Sequence, residues 1–193
     1  MKKYKLFFDS AFNKLNLALI DKNNEIVDTF SILTNNNLTE IALEHLHEFL
    51  IKNKIKIKQI DSFYVTVGPG SFTGVRVGCI VAKTWCKLNE DCKLFAINSL
   101  RLQVPFLDGD GISVLDARGN KEYYAVYKKG IGITKLTENT DFEKVCQENL
   151  DLPLYKNYEN MDIFESLINN LDNFEQVKKI ENLEPLYIKK PVS

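Results

Sequence analysis

The stretch Val67-Gly68-Pro69-Gly70-Ser71-Phe72-Thr73-Gly74-Val75-Arg76-Val77-Gly78 decides how this chain is read. Ahead of it, Ser62–Val67 has the β-branched and aromatic make-up of a strand. Behind it, apolar residues recur at helical spacing from Thr73 to Leu88. Strand, glycine turn, helix start is an arrangement that aims backbone N–H groups and a helix dipole at an anion. It is also what a chain needs to turn sharply and pack a helix tightly on a sheet. The spacing is not that of a P-loop, because Val75 and not lysine follows Gly74. Nor is it G-x-G-x-x-G. As a phosphate signal it is weak.

The helix behind the loop carries more apolar surface than one sheet face needs. Its apolar arc spans roughly 220°, against the ~100° stripe of an ordinary surface helix. The remainder is a basic stripe of Arg76, Lys83 and Lys87. Gly74, Gly78 and Ala82 stand four apart, a smooth strip along which another backbone can approach closely. The preceding helix, predicted over Leu38–Ile51, shows the same excess. Leu38, Ile41, Ala42, Leu43, His45, Leu46, Phe49 and Leu50 sweep roughly 200° around it. Asn37 and Glu40 form a capping-box-like pair at its start. Either both helices are buried in their own domain, or they pack together and offer a shared face to another subunit.

The rest of the chain alternates similarly. Strands are expected at Tyr4–Asp9, Leu15–Ile20, Glu25–Ile32 and Lys93–Ile97, then at Gly111–Leu115 and Glu122–Lys128. Helices are expected near Phe142–Gln147 and Met161–Leu171, with Met161–Leu171 the long one, and Glu184–Ile188 closes as an extended segment. This divides the chain into an α/β lobe over 1–104 and a smaller one over 105–193. In 193 residues the 26 acidic and 25 basic side chains nearly cancel, which disfavours an autonomous nucleic-acid binder. No run approaches the ~18 apolar residues of a membrane span. Cys79, Cys86, Cys92 and Cys146 form no C-x-x-C pair, so reduced thiols of a cytoplasmic protein are expected.

The inventory of chemistry is thin. His45 and His47 are two apart and point to opposite sides of a helix, so they cannot share a metal. Ser71 has no histidine base in the sequence around it. Asp9 and Asp116 each end an apolar strand, where a nucleotide-dependent enzyme would hold magnesium or a base. The same position suits an aspartate that caps a turn. Asp116-Ala117-Arg118 with Glu122 places both charges around one turn, for an internal ion pair or a docking contact.

Four collinear segments resemble the TsaB (YeaZ) family. VGPGSFTGVRVG, residues 67–78, is similar to its signature; FFDSAFNKLNLALID, VLDARGNKEYYAVY and EPLYIKK are similar to further segments, in order. The resemblance implies an actin-like, sugar-kinase-like (ASKHA) α/β fold of two related lobes, here with a shortened C-terminal lobe. It implies a cytoplasmic accessory subunit without catalytic or metal-ligating residues. Such a subunit supports a TsaD-type transferase in forming threonylcarbamoyladenosine beside the tRNA anticodon. It also implies a TsaE-type ATPase as second partner, a homodimer when isolated, and tRNA reached only through the complex. No cofactor is expected on the isolated chain, while ATP or ADP can sit at the subunit contact. The expected partner interface is Leu38, Ala42, His45 and Phe49 with Gly74, Val75, Gly78, Val81, Ala82 and Trp85. On that reading Gly78→Leu abolishes partner binding and spares the fold. Asp9, Ser10, Gly68, Gly70, Ser71, Thr73, Arg76, Asp116, Arg118 and Glu122 match the family's motifs without an assigned role. Ser10 stands where the family more usually has threonine. The competing functions are a stand-alone phosphotransferase or ATPase of the same fold and, behind it, a glycoprotease-like peptidase.

Overall fold

A computed structural model describes residues 3–35, 37–105 and 109–188, without the side chains of Leu136 and Glu138. The chain forms two compact units: Met1–Val67, Ser71–Ile97 and Phe174–Pro185 in the first, Gly68–Gly70, Asn98–Asn173 and Leu186–Ser193 in the second. The boundary expected at 104/105 thus lies at 97/98, and a late segment returns to the first unit. That return depends on β10 (Glu175–Gln176), two polar residues too short to carry a strand period.

The first unit is a six-stranded sheet in the order β10-β5-β4-β1-β2-β3. β1 (Tyr4–Asp9), β2 (Lys14–Ile20) and β3 (Ile26–Leu33) form an antiparallel meander. β4 (Ile60–Thr66) and β5 (Lys93–Ile97) run parallel to β1, reached through the helices α1 (Leu38–Lys52) and α2 (Phe72–Leu88). Parallel neighbours need such crossovers, and their helices bury the sheet. Leu6, Phe8, Leu17, Phe63 and Val65 meet both helices in one core. The alternate residues Phe7 and Tyr64 point to the opposite face, where Phe174 packs edge-on against both rings. Asn37 does cap α1 by position, but its side chain makes no capping bond; its carbonyl takes the Glu40 N–H instead.

The second unit is a four-stranded sheet in the order β8-β7-β6-β9. β6 (Gly111–Asp116), β7 (Lys121–Tyr127) and β8 (Lys135–Glu138) are antiparallel, and β9 (Leu154–Lys156) runs parallel to β6. α4 (Asn139–Glu148) packs Phe142 against Ile112, Val114 and Tyr124. α3 (Ser99–Gln103), wholly buried, is tied to the sheet by Gln103 Nε2, which donates to Ser113 Oγ at 2.9 Å. α5 (Ile163–Asn169) is capped by Asp162, whose side chain accepts from the Phe164 and Glu165 N–H groups. α4 is therefore the longer helix of this half, not the segment at 161–171. Residues 184–187 form no regular strand, and Lys189 and Lys190 of the tail motif lie outside the described residues.

Candidate functional site

The polar motif residues of the first unit collect at the end of β1 and in the loop that leads into α2. Asp9 is buried at the tip of β1. Its Oδ2 accepts from Asn16 Nδ2 at 2.9 Å; its Oδ1 accepts from the Ala11 N–H at 3.1 Å and from the Thr66 hydroxyl. Asn16 Oδ1 in turn accepts from Ser31 Oγ at 2.7 Å. Asp9 pairs with Asn16 and Asn16 with Ser31 in the strand register, while Thr66 follows the Phe8–Val65 pair. One polar row thus crosses β4, β1, β2 and β3. Burial pushes the Asp9 carboxyl above the usual range, against the opposing pull of these three bonds. Both its oxygens accept hydrogen bonds, one of them from the Ala11 N–H of the turn and the others from the neighbouring strands β2 and β4, as a turn-capping aspartate would.

The glycine segment serves close packing. Gly68 has φ 95°, which suits glycine, and the Gly68–Pro69 bond is cis. Ser71 caps α2 through Oγ, which accepts from the Gly74 N–H at 3.2 Å, and its own N–H donates to Ala11 O at 2.7 Å. A Cβ on Gly74 would lie 1.9 Å from Ser10 O. Ser10 Oγ donates to Gly74 O at 2.8 Å, closing the same contact. A Cβ on Gly78 would meet Ser10 Oγ at 3.3 Å and Val65 Cγ2 at 3.4 Å. A backbone does approach this strip closely, but it is the β1–β2 turn of the same unit.

Of the residues expected at the partner interface, Leu38, Ala42, Phe49, Gly74, Val75, Gly78, Val81, Ala82 and Trp85 are buried within the chain itself. His45 is half-buried, its ring 4.9 Å from that of Phe30 and its Nδ1 3.2 Å from Glu48 Oε2. What α2 turns outward is a different row: Thr73, Val77, Ile80, Thr84 and Leu88, all within about 80° of one another on the wheel. Val77 is half-buried, whereas Ile80 is 59% and Leu88 69% exposed. Arg76 flanks this row, its guanidinium 5.1 Å above the exposed Phe72 ring. On α1, Leu43 and Ile51 are also exposed. The apolar excess on the wheel was the signal for this row, but the wheel alone does not tell which part of the arc faces the sheet.

In the second unit Asp116 and Arg118 shape the β6–β7 turn. Asp116 Oδ1 accepts from the Arg118 backbone N–H at 2.7 Å, and Arg118 sits at φ 62° with its side chain exposed. Glu122, paired with Asp116 across the strands, is buried. Burial raises its carboxyl above the usual value; Lys156 opposes the shift and Asp116 adds to it. Among the described residues, no group of three or more His, Cys, Asp or Glu is placed to hold a metal ion, and no helix is long and apolar enough to cross a membrane. All four cysteines are free thiols.

Residues 32–161 match the family model described as TsaD: tRNA N6-adenosine threonylcarbamoyltransferase. An uncharacterized protein of Mycoplasma pneumoniae is 49% identical over 193 residues, covering 99% of this chain and 97% of its own. The tRNA threonylcarbamoyladenosine biosynthesis protein TsaB of Bacillus subtilis is 28% identical over 133 residues, covering 66% of this chain and 56% of its own. The TsaB protein of Buchnera aphidicola subsp. Baizongia pistaciae is 34% identical over 83 residues, 43% of this chain and 37% of its own. Among solved structures, YeaZ from Pseudomonas aeruginosa superposes with a TM-score of 0.68 at 15% identity, over 96% of this chain and 100% of the other. A protein with similarity to peptidase YeaZ, also from Pseudomonas aeruginosa, gives 0.71 at 15% identity, over 97% and 100%. At that identity the likeness is one of fold.

Proposed function

The chain belongs to the TsaB/YeaZ family, and from that premise we propose that it is a non-catalytic subunit that binds a TsaD-type threonylcarbamoyltransferase. In that role it supports the formation of threonylcarbamoyladenosine in tRNA. The observation that carries the proposal is the outward row of α2. Ile80 and Leu88 are large apolar side chains left in water on a well-anchored helix. Thr84 between them leaves room for a second helix, and Arg76 and Lys87 supply a basic rim. The catalytic relative's histidine pair, four apart by family resemblance, has no counterpart in His45 and His47. Asp9 spends both its oxygens on the turn and the neighbouring strands, which favours the non-catalytic reading over a stand-alone phosphotransferase.

The wider assembly follows from the same reading: a TsaE-type ATPase as second partner, tRNA engaged through the complex, ATP or ADP at the subunit contact, and a cytoplasmic setting. Without its partner, the chain pairs with its own copy through the same row, giving an isologous dimer. The test is co-elution with the TsaD-type protein of the same genome. Ile80→Glu should abolish co-elution and shift the isolated chain to monomer by light scattering, with melting unchanged. Undiminished co-elution of Ile80→Glu would refute docking through this face.

A further inference from the structure

We propose that the cavity between α4 and the β7-β6-β9 face is a binding site for a small zwitterionic amine of the amino-acid class, with its ammonium group on Glu122. The cavity measures about 390 Å³ and is lined by Glu122, Asn139, Phe142, Glu143, Cys146, Gln147 and Lys156. That lies within the range of small-molecule sites, about 300–1,000 Å³. None of these residues belongs to the docking row of α2, so the two proposals stand or fall separately.

The register builds the site. Glu122 lies two residues from Tyr124 on β7, and Tyr124 and Lys156 both pair with Val114 of β6. All three side chains therefore share one face of the sheet. Opposite them, Asn139, Phe142, Glu143, Cys146 and Gln147 recur on α4 at i, i+3, i+4, i+7 and i+8, a single helix face. Phe142 closes one end against Tyr124, with ring centroids 5.5 Å apart. The polar side chains beside it do not collapse onto the sheet, and the space stays open.

The floor of this space is chemically incomplete. Glu122 is only 8% exposed, and its Oε2 has no hydrogen-bond partner. A buried carboxylate oxygen without a donor is costly, so a rotation of the Glu122 side chain that brings Oε2 to a ligand's donor is favoured. Glu143 at the rim adds negative charge, which favours a cation over an anion at the floor. A bare metal ion would want several oxygen ligands and finds one deep carboxylate. An ammonium group with three donors fits better. Lys156 is exposed, lines the same cavity and leaves Oε2 unbonded, which places a positive charge where the ligand's carboxylate would lie. Phe142 and the Cys146 side chain form an apolar wall for the short carbon chain between the two charges.

The full chain is titrated with a panel of L-amino acids, with n-butylamine and butyrate as single-charge controls. Alkylation of Cys146 by iodoacetamide is followed by mass spectrometry; Cys146 is half-exposed while the other three thiols are buried. Backbone amide NMR shifts over 139–147 are recorded in parallel. At least one amino acid should protect Cys146 and shift these amides at sub-millimolar concentration, on the order of 0.1–1 mM. Glu122→Gln should weaken that binding by about tenfold or more. Lys156→Met should weaken the amino acid but not n-butylamine. No protection by any amino acid up to about 10 mM, equal binding to Glu122→Gln, or butyrate binding better than the amino acids would overturn the proposal. The wild-type protection needs no variant, so a poorly folded substitution does not leave the question open.

Discussion

Gly74→Ala is the sharpest test of how the first unit is held together. The new methyl carbon would start 1.9 Å from the Ser10 carbonyl oxygen, more than 1 Å inside the 3.0 Å that real contacts respect. The obstacle is backbone, which cannot rotate away, so the first turn of α2 must lift from the β1–β2 turn. Lifting it breaks the buried Ser10 Oγ–Gly74 O bond and loosens the Ser71 cap on the Gly74 N–H. A buried hydrogen bond left unmade costs about 1–3 kcal/mol, and a lost cap about 1 kcal/mol. The helix-propensity gain of alanine returns at most about 1 kcal/mol. The net is a loss of about 1–3 kcal/mol, or roughly 2–12 °C in melting temperature for a chain of this size. Gly78→Ala is the control. Its nearest neighbours stand at 3.3 and 3.4 Å, so shifts of a few tenths of an ångström suffice, and the change should stay within about 1 kcal/mol. Thermal and urea unfolding of both variants decide the matter. A Gly74→Ala protein that melts with the wild type, or above Gly78→Ala, would refute the close-approach reasoning.

Other outcomes follow from the same contacts. Gly78→Leu should now lower stability by about 1–3 kcal/mol or more through overpacking against Val65 and Phe8, reversing the sequence-based expectation that it spares the fold; a melting curve measures it. Asp9→Ala strands the Asn16, Thr66 and Ala11 donors and should cost about 2–4 kcal/mol in denaturant unfolding. Glu122 has a folded pKa raised above 4.5, so the folded state holds its proton more tightly and this group's contribution falls as pH rises through that window. Glu122→Gln should therefore be stabilising at pH 7, with the advantage shrinking as pH falls towards 4.5, read from melting temperatures across that range.

Much of the first unit was legible in the sequence because its signals are periodic. Leu6/Phe8 and Phe63/Val65 alternate over enough residues to define a strand face, and α1 and α2 are long enough for a wheel. The glycine strip announced a close approach, correctly, but spacing is blind to which backbone approaches. Gly78 against Val65 and Ile80 in water stand about 160° apart on one apolar arc, and only the fold tells which end of it is covered. The second unit was harder. α3 is five residues long and carries Arg101 and Gln103 inside, so neither length nor polarity marked it as buried helix. Glu122 was visible as a motif residue, yet its missing donor is a property of the space beneath α4, which no local pattern encodes.

The return of Phe174–Pro185 to the first unit bears on the order in which the protein is made. β10 pairs with β5, Val177 N–H donates to Leu94 O at 2.8 Å, and Phe174 covers Phe7 and Tyr64. A ribosome delivers β5 about eighty residues before its edge partner, judged against the scale of sequential synthesis. Throughout that interval the emerging chain presents an open strand edge and an uncovered aromatic face, the kind of surface that pairs with other chains. Fragments ending near residue 104 would keep that face exposed for good. A recombinant N-terminal half should therefore precipitate where the whole chain stays dispersed, and supplying 174–185 as a fused tail should restore it.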